Sequence, residues 1–295
     1  MSNDPPEDSD GDNLYTTQRA VCITALLLLI VGAWAFVLLG AGMHMSAFEM
    51  TRMEQAKMES VLTGGTMAHG DLPAGNNAKM EMQRPAWTAG TVVVMFFMWW
   101  VMMIAMMLPT IVPAVVRYSA TEHLQDPPSR SYRSVAAFVL GYSLVWGGFS
   151  LAAVCLQWLL LKMGLLTPMI VSKSLSLDAW LLLAAGLYQF TPIQRKALLA
   201  CRSCGGWMQA PDRQRLQGGL ALGLGEGVRC LNTCWVLMLL LFMSGAMNLY
   251  WIGLLSMLVL LQKTMPRGDW FGYALGAVLV VWGVVEAGLA FGLFA

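Results

Sequence analysis

Long apolar runs without charge constrain the fold of this chain more than any other feature. Residues 21–42 contain no Asp, Glu, Lys or Arg, and neither do residues 88–109 or 134–161. About 20 such residues in a helix cross a hydrocarbon core of about 30 Å. The sequence therefore predicts an all-α fold, a polytopic transmembrane helix bundle of about seven spanning helices, or six.

The order of the apolar runs divides the chain into five regions. We predict a disordered acidic tail over 1–20, a first transmembrane helix over 21–42, a Met/His-rich extracytoplasmic loop over 43–87, a transmembrane core over 88–263 and a C-terminal transmembrane helix over 264–295. The acidic tail buries no apolar surface, which is typical of disorder. The second span is expected to end at Pro109, because proline interrupts a helix.

Basic residues predict the orientation. With the N-terminus in the cytoplasm, more Lys and Arg lie in cytoplasmic segments than outside, as the positive-inside rule requires. Residues 43–87 then face the exterior. The lipid bilayer is one expected partner, whereas a net charge of +1 gives no reason to expect nucleic acid.

A carboxylate and two thiols lie inside one apolar segment. In a helix, Glu226, Cys230 and Cys234 are spaced i, i+4, i+8 and share one face. Charged groups at membrane depth need a partner or a ligand, and this set is suited to a soft or borderline metal ion. The alternative is that Glu226 pairs with Arg229 and that the thiols serve as small apolar side chains.

Methionines recur at helical spacing in the second span. We predict that Met103, Met106 and Met107 face Cys230 and Cys234 as thioether ligands, since thioethers select Cu(I). Soft packing of the helix is the alternative.

Two further groups of soft ligands lie outside the apolar runs. The loop over 43–87 offers Met43, His44, Met45, Met67 and His69 for metal capture, unless part of it is an amphipathic helix on the membrane. Cys201 and Cys204 form a C-x-x-C pair on the cytoplasmic side, suited to metal or thiol exchange. Two reduced, inactive thiols are the alternative.

Several short runs together resemble a known family. They are WVMMIAMMLP at 100–109, AAGLYQFTP at 184–192, CRS at 201–203, CWVLM at 234–238 and GAMNLYW at 245–251. These runs are similar to the DUF2182 family of bacterial integral membrane proteins, described as metal-binding, some of which are associated with copper delivery to copper oxidases. The resemblance covers about 87–263 and implies a multi-pass protein of the bacterial inner membrane.

The chain departs from the family pattern at five places, one of which is Cys204, where the family often has proline. The family has Gly-Cys-Cys-Trp where this chain has 232–235, His where it has Glu226, Glu-Lys where it has 262–263, and often Cys near Ala197. One thiol and one imidazole are therefore missing, and the departures leave open whether metal affinity and identity are altered or binding is lost.

These observations favour a copper-binding chaperone or conduit that delivers Cu(I) to a copper-dependent enzyme. A membrane thiol or metal-dependent oxidoreductase using Cys201 and Cys204 is one alternative. A metal-free assembly subunit that docks through the glycine-rich face at 218–227 is another. The sequence has no phosphate loop, dinucleotide fingerprint or nucleophile–base set, so an enzyme is not the expected class.

Overall fold

The computed structural model describes residues 9–39, 87–123, 128–166, 175–202, 216–245, 248–265 and 268–291. These residues are almost entirely helical, which confirms the predicted all-α bundle. The helices are α1 (Ser9–Leu38), α2 (Ala89–His123), α3 (Pro128–Lys162), α4 (Leu175–Gln189), α5 (Pro192–Arg202), α6 (Leu216–Leu239), the short α7 (Leu241–Ser244), α8 (Leu249–Thr264) and α9 (Gly268–Ala290).

Five apolar segments in the described residues are long enough to cross a membrane. They are Ala20–Leu38, Ala89–Ser119, Tyr132–Lys162, Gly218–Met243 and Trp270–Ala290. α4 and α8 lie where the other two spans were expected, but they contain only 15 and 16 residues. At about 1.5 Å per residue each is shorter than a hydrocarbon core. The five long apolar segments support a membrane-embedded protein.

α2 does not end at its prolines. It passes through Pro109 and Pro113 and ends at His123, so the prediction that Pro109 ends the second helix is wrong. Hydroxyl groups donate to the carbonyl oxygens just before the first proline: Ser256 to Met106 at 3.3 Å, and Thr110 and Tyr142 to Met107 at 2.8 Å and 3.2 Å. The carbonyl oxygen that loses its helical N–H partner to Pro109 is that of Ala105. Proline is tolerated inside apolar helices that pack against neighbouring helices in a bundle.

The glycine-rich half of α6 packs directly on α3. A Cβ atom at Gly219 would lie 2.5 Å from the carbonyl oxygen of Ser134, and one at Gly223 would overlap the backbone of Phe138. Small residues allow two helix backbones to approach this closely. α3 therefore covers the face that was considered for docking a partner subunit.

Asn248 caps the N-terminus of α8, the helix that carries Lys263. Its side-chain oxygen accepts hydrogen bonds from the backbone N–H groups of Tyr250 at 3.1 Å and Trp251 at 3.4 Å.

We expect Asn248→Ala to lower the free energy of unfolding by about 1 kcal/mol, because two N–H groups of the first turn lose their acceptor. Unfolding in detergent, followed by circular dichroism, measures the change. Asn248→Asp keeps the acceptor and is the control. Equal stability of Asn248→Ala and the unmodified protein would contradict the capping role.

Candidate metal site

α6 carries the predicted stripe into the interior of the bundle. Glu226, Cys230 and Cys234 are all buried, and the two thiols have no exposed surface. Val228 and Trp235, on other sides of this part of α6, are exposed. The thiols are therefore turned away from the surface where lipid would lie.

The Cys230 thiol lies between a cation and a phenol. Lys263, in the last turn of α8, donates from Nζ to Cys230 Sγ at 2.7 Å. The Tyr142 hydroxyl of α3 lies 3.0 Å from the same sulfur. Because a nearby ammonium stabilises a thiolate, the surroundings favour the form of Cys230 that binds metal ions.

Hydrogen bonds also connect Cys230 to the methionine-rich part of α2. The Lys263 ammonium donates a second hydrogen bond to Thr110 Oγ1 at 3.2 Å, and Thr110 in turn donates to the carbonyl oxygen of Met107 at 2.8 Å. Tyr142 contacts both that carbonyl and the Cys230 sulfur. Two short hydrogen-bonded routes thus join α2 to the thiol.

The second thiol lies one turn further along α6. Cys234 Sγ donates to the carbonyl oxygen of Cys230 at 3.1 Å, so the second thiol points back along α6 toward the first. The same buried core contains the side chains of Met103, Met106 and Met107, none of which has exposed surface. The bundle thus brings the two thiols and the three methionines into one apolar interior.

Cys201 of α5 meets α6 on the opposite side of Cys230 from Cys234. Its thiol donates to Glu226 Oε1 at 3.4 Å. The other carboxylate oxygen of Glu226 lies 3.7 Å from Arg229, so the ion pair considered as the alternative role of Glu226 is present. Glu226 is one turn before Cys230 on α6, so the Cys201 thiol of α5 lies beside α6 about one turn before Cys230. Cys234 lies one turn after Cys230.

The other predicted ligands lie outside the described part of the chain. They are Cys204 and the five loop residues Met43, His44, Met45, Met67 and His69. Within the described residues, no three His, Cys, Asp or Glu side chains form a group that could hold a metal ion. These four residue types do not include methionine. A site made of two thiols and one methionine sulfur is therefore a different kind of metal site.

Sequence reasoning missed three side chains around Cys230, namely Lys263, Tyr142 and Thr110. By the positive-inside rule Lys263 is a basic residue at a cytoplasmic helix end, yet its ammonium points to a buried thiol. Its position held a usable signal: it follows Val259 by four residues, and Val259 belongs to the buried face of α8. A lysine that continues a buried stripe must reach a partner inside the bundle or at its edge.

Comparison with known families identifies the chain. Residues 96–286 match the family PpoB2, described as Copper chaperone. The chain belongs to this family. The matched region is well over half of the sequence and contains Cys201, Cys230, Cys234 and Lys263, whereas the loop over 43–87 lies outside it. Searches of curated proteins and of solved structures return no match.

The family match confirms the expected relation to copper in its general form. It supports a copper-related role and the existence of a partner that receives the metal. The ligand set, the oxidation state of the copper and the DUF2182 name stay predictions.

Proposed function

We propose that this protein holds Cu(I) inside the bundle and passes it to a copper-dependent enzyme. Cys230 and Cys234 are the proposed thiolate ligands, completed by a thioether from Met103, Met106 or Met107. The observation that carries the proposal is the completely buried Cys230 thiol, held between Lys263 and Tyr142, with Cys234 one turn further along the same face of α6. Membership of a copper chaperone family supports the same role.

The donor atoms present fit Cu(I) better than a hard ion. Thiolates and thioethers are soft ligands, and they select Cu(I) over Mg²⁺ or Ca²⁺, which prefer oxygen. The apolar surroundings keep water away from the sulfur atoms. A soft monovalent ion needs few ligands, so two thiolates and one thioether are sufficient.

The three cysteines suggest a path for the ion. In this proposal Cu(I) moves between Cys201 and the Cys230–Cys234 pair by ligand exchange. A bond to the incoming thiolate forms as the bond to the outgoing thiolate breaks, and copper stays monovalent. Each thiol that becomes a ligand releases its proton. Glu226, which accepts the hydrogen bond of Cys201 at 3.4 Å, is positioned to relay that proton to the outgoing thiolate, and it is again a carboxylate once the exchange is complete.

The remaining predicted ligands complete the proposal at the two ends of the path. The protein lies in the bacterial inner membrane with its N-terminus in the cytoplasm. Cys201 and Cys204 then exchange metal near the cytoplasmic face, and the loop with Met43, His44, Met45, Met67 and His69 captures it outside.

Copper binding by the purified protein tests this function. A variant with leucine in place of all eight methionines of residues 43–87 and alanine in place of His44 and His69 removes the thioether and imidazole ligands of the loop. We expect this variant to retain bound Cu(I), and X-ray absorption at the copper edge to show sulfur ligands alone. Nitrogen or oxygen ligands, or no copper in the loop variant, would contradict an intramembrane site.

A further inference from the structure

The Lys263 ammonium is placed as a fixed counter-charge to the thiol pair. It donates to Cys230 Sγ at 2.7 Å and to the neutral hydroxyl of Thr110 at 3.2 Å. Glu226 and Arg229 form an ion pair 3.7 Å apart and largely offset each other. Arg202, whose Nε donates to the carbonyl oxygen of Lys263 at 3.2 Å, is a further cation on the same side of the site. Within this surrounding, Lys263 therefore leaves an excess positive charge beside Cys230.

The sum of charges distinguishes one class of metal ion from another. Two thiolates and a monovalent ion carry one net negative charge, which the ammonium balances. Two thiolates and a divalent ion are already neutral, so the ammonium leaves one net positive charge. Because charge–charge energies rise steeply in an interior of low dielectric constant, the neutral total is favoured.

We infer that Lys263 makes the site selective for monovalent soft ions, Cu(I) and Ag(I), over divalent ions such as Zn²⁺. This inference rests on the proposed function, since it takes Cys230 and Cys234 as the ligands. Lys263 does not bind the metal. It acts through Cys230, because its charge decides which ion leaves the site neutral. Nearby carboxylates, by contrast, would favour divalent ions.

The competing explanation is that Lys263 only ties helices together. Its ammonium joins α8 to α2 and α6, and its carbonyl oxygen accepts a hydrogen bond from Arg202 Nε of α5 at 3.2 Å. Loss of a purely structural link would loosen the site and weaken the binding of every ion alike. The two roles therefore differ in the ratio of affinities and not in either affinity alone.

Competition titrations of the purified full-length protein with Ag(I) and Zn²⁺ test the inference. We compare the unmodified protein with Lys263→Leu, which removes the charge and adds no thioether that could bind Ag(I). Thr110→Val is the matched control, because it removes one hydrogen bond of Lys263 and leaves the charge in place. We expect Lys263→Leu to lower the Ag(I)/Zn²⁺ affinity ratio by more than about tenfold, and Thr110→Val to leave the ratio within about twofold.

Two further variants cover the case in which Lys263→Leu does not fold. Lys263→Arg keeps the charge, so its Ag(I)/Zn²⁺ affinity ratio is expected to equal that of the unmodified protein. Lys263→Gln is neutral and is expected to lower the ratio as Lys263→Leu does. An equal loss of Ag(I) and Zn²⁺ affinity in the neutral variants, or an unchanged ratio, overturns the inference while the copper site stands. If the unmodified protein does not bind Ag(I) or Cu(I) through Cys230 and Cys234, the proposed function fails first, and that result is distinct.

Discussion

Gly223→Ala is expected to destabilise the bundle by about 3 kcal/mol or more, whereas Gly225→Ala is expected to leave stability nearly unchanged. The Cβ of an alanine at 223 would overlap the carbonyl group of Phe138 on α3. That obstacle is backbone within a helix, so it cannot move aside as the end of a flexible side chain could. Overpacking of this kind usually costs about 1–3 kcal/mol, and contact with backbone lies at the upper end.

Gly225 is the matched control because it lies on the same helix and two residues away. A Cβ at this position has no heavy atom within 4 Å, and alanine is a better helix former than glycine by about 0.5–1 kcal/mol. Unfolding of both variants in mixed micelles, followed by circular dichroism, gives the comparison. Similar stability of the two variants would show that α3 and α6 are not packed as closely as described.

The same substitution links packing to the metal site. Phe138 lies one turn before Tyr142 on α3, and Gly223 precedes Cys230 by about two turns on α6. If alanine at 223 forces the helices apart, the Tyr142–Cys230 contact of 3.0 Å is the first part of the site to lengthen. Where Gly223→Ala still folds, we therefore expect it also to weaken Cu(I) binding, and Gly225→Ala to leave binding intact.

Sequence periodicity was sufficient for the elements of the bundle and for one face of the site. The i, i+4, i+8 spacing of Glu226, Cys230 and Cys234 requires a shared face once the segment is helical, and the structure buries that face. Apolar length alone did not distinguish α4 and α8 from full spans, because a run of 15 or 16 residues can be completed by neighbouring loop residues in the sequence.

The spacing of residues in the sequence could not predict contacts between helices that are distant in the chain. Nothing local in the sequence predicts that Ser256 and Tyr142 donate to the carbonyl oxygens of Met106 and Met107, or that α2 continues through Pro109. The same holds for Lys263, which is 33 residues from Cys230 in the chain. A charge at the end of an apolar run is consistent both with a membrane boundary and with a partner inside the bundle, and only the packing of α8 on α6 decides between them.

Replacement of both site thiols is expected to abolish Cu(I) binding within the bundle. In Cys230→Ser/Cys234→Ser, hydroxyl groups of nearly the same size replace the sulfur atoms, so the packing is largely kept. A hydroxyl is a hard donor and does not deprotonate readily, which makes it a poor ligand for Cu(I). Loss of a supporting residue around a metal typically costs 10–100-fold in affinity, and loss of two ligands is expected to exceed about 100-fold.

Competition with a Cu(I) chelator, performed in the variant that lacks the loop ligands, measures this affinity. Cys155→Ser is the control, because Cys155 is an exposed free cysteine of α3, and it is expected to bind Cu(I) as the unmodified protein does. Cys201→Ser distinguishes the binding of Cu(I) from its transfer. If Cys201 lies on the path, this variant keeps the equilibrium affinity for Cu(I) but transfers the ion to the chelator more slowly. Undiminished binding in the double serine variant would mean that the copper lies elsewhere, and a Cys201→Ser variant with normal affinity and normal release would remove Cys201 from the path.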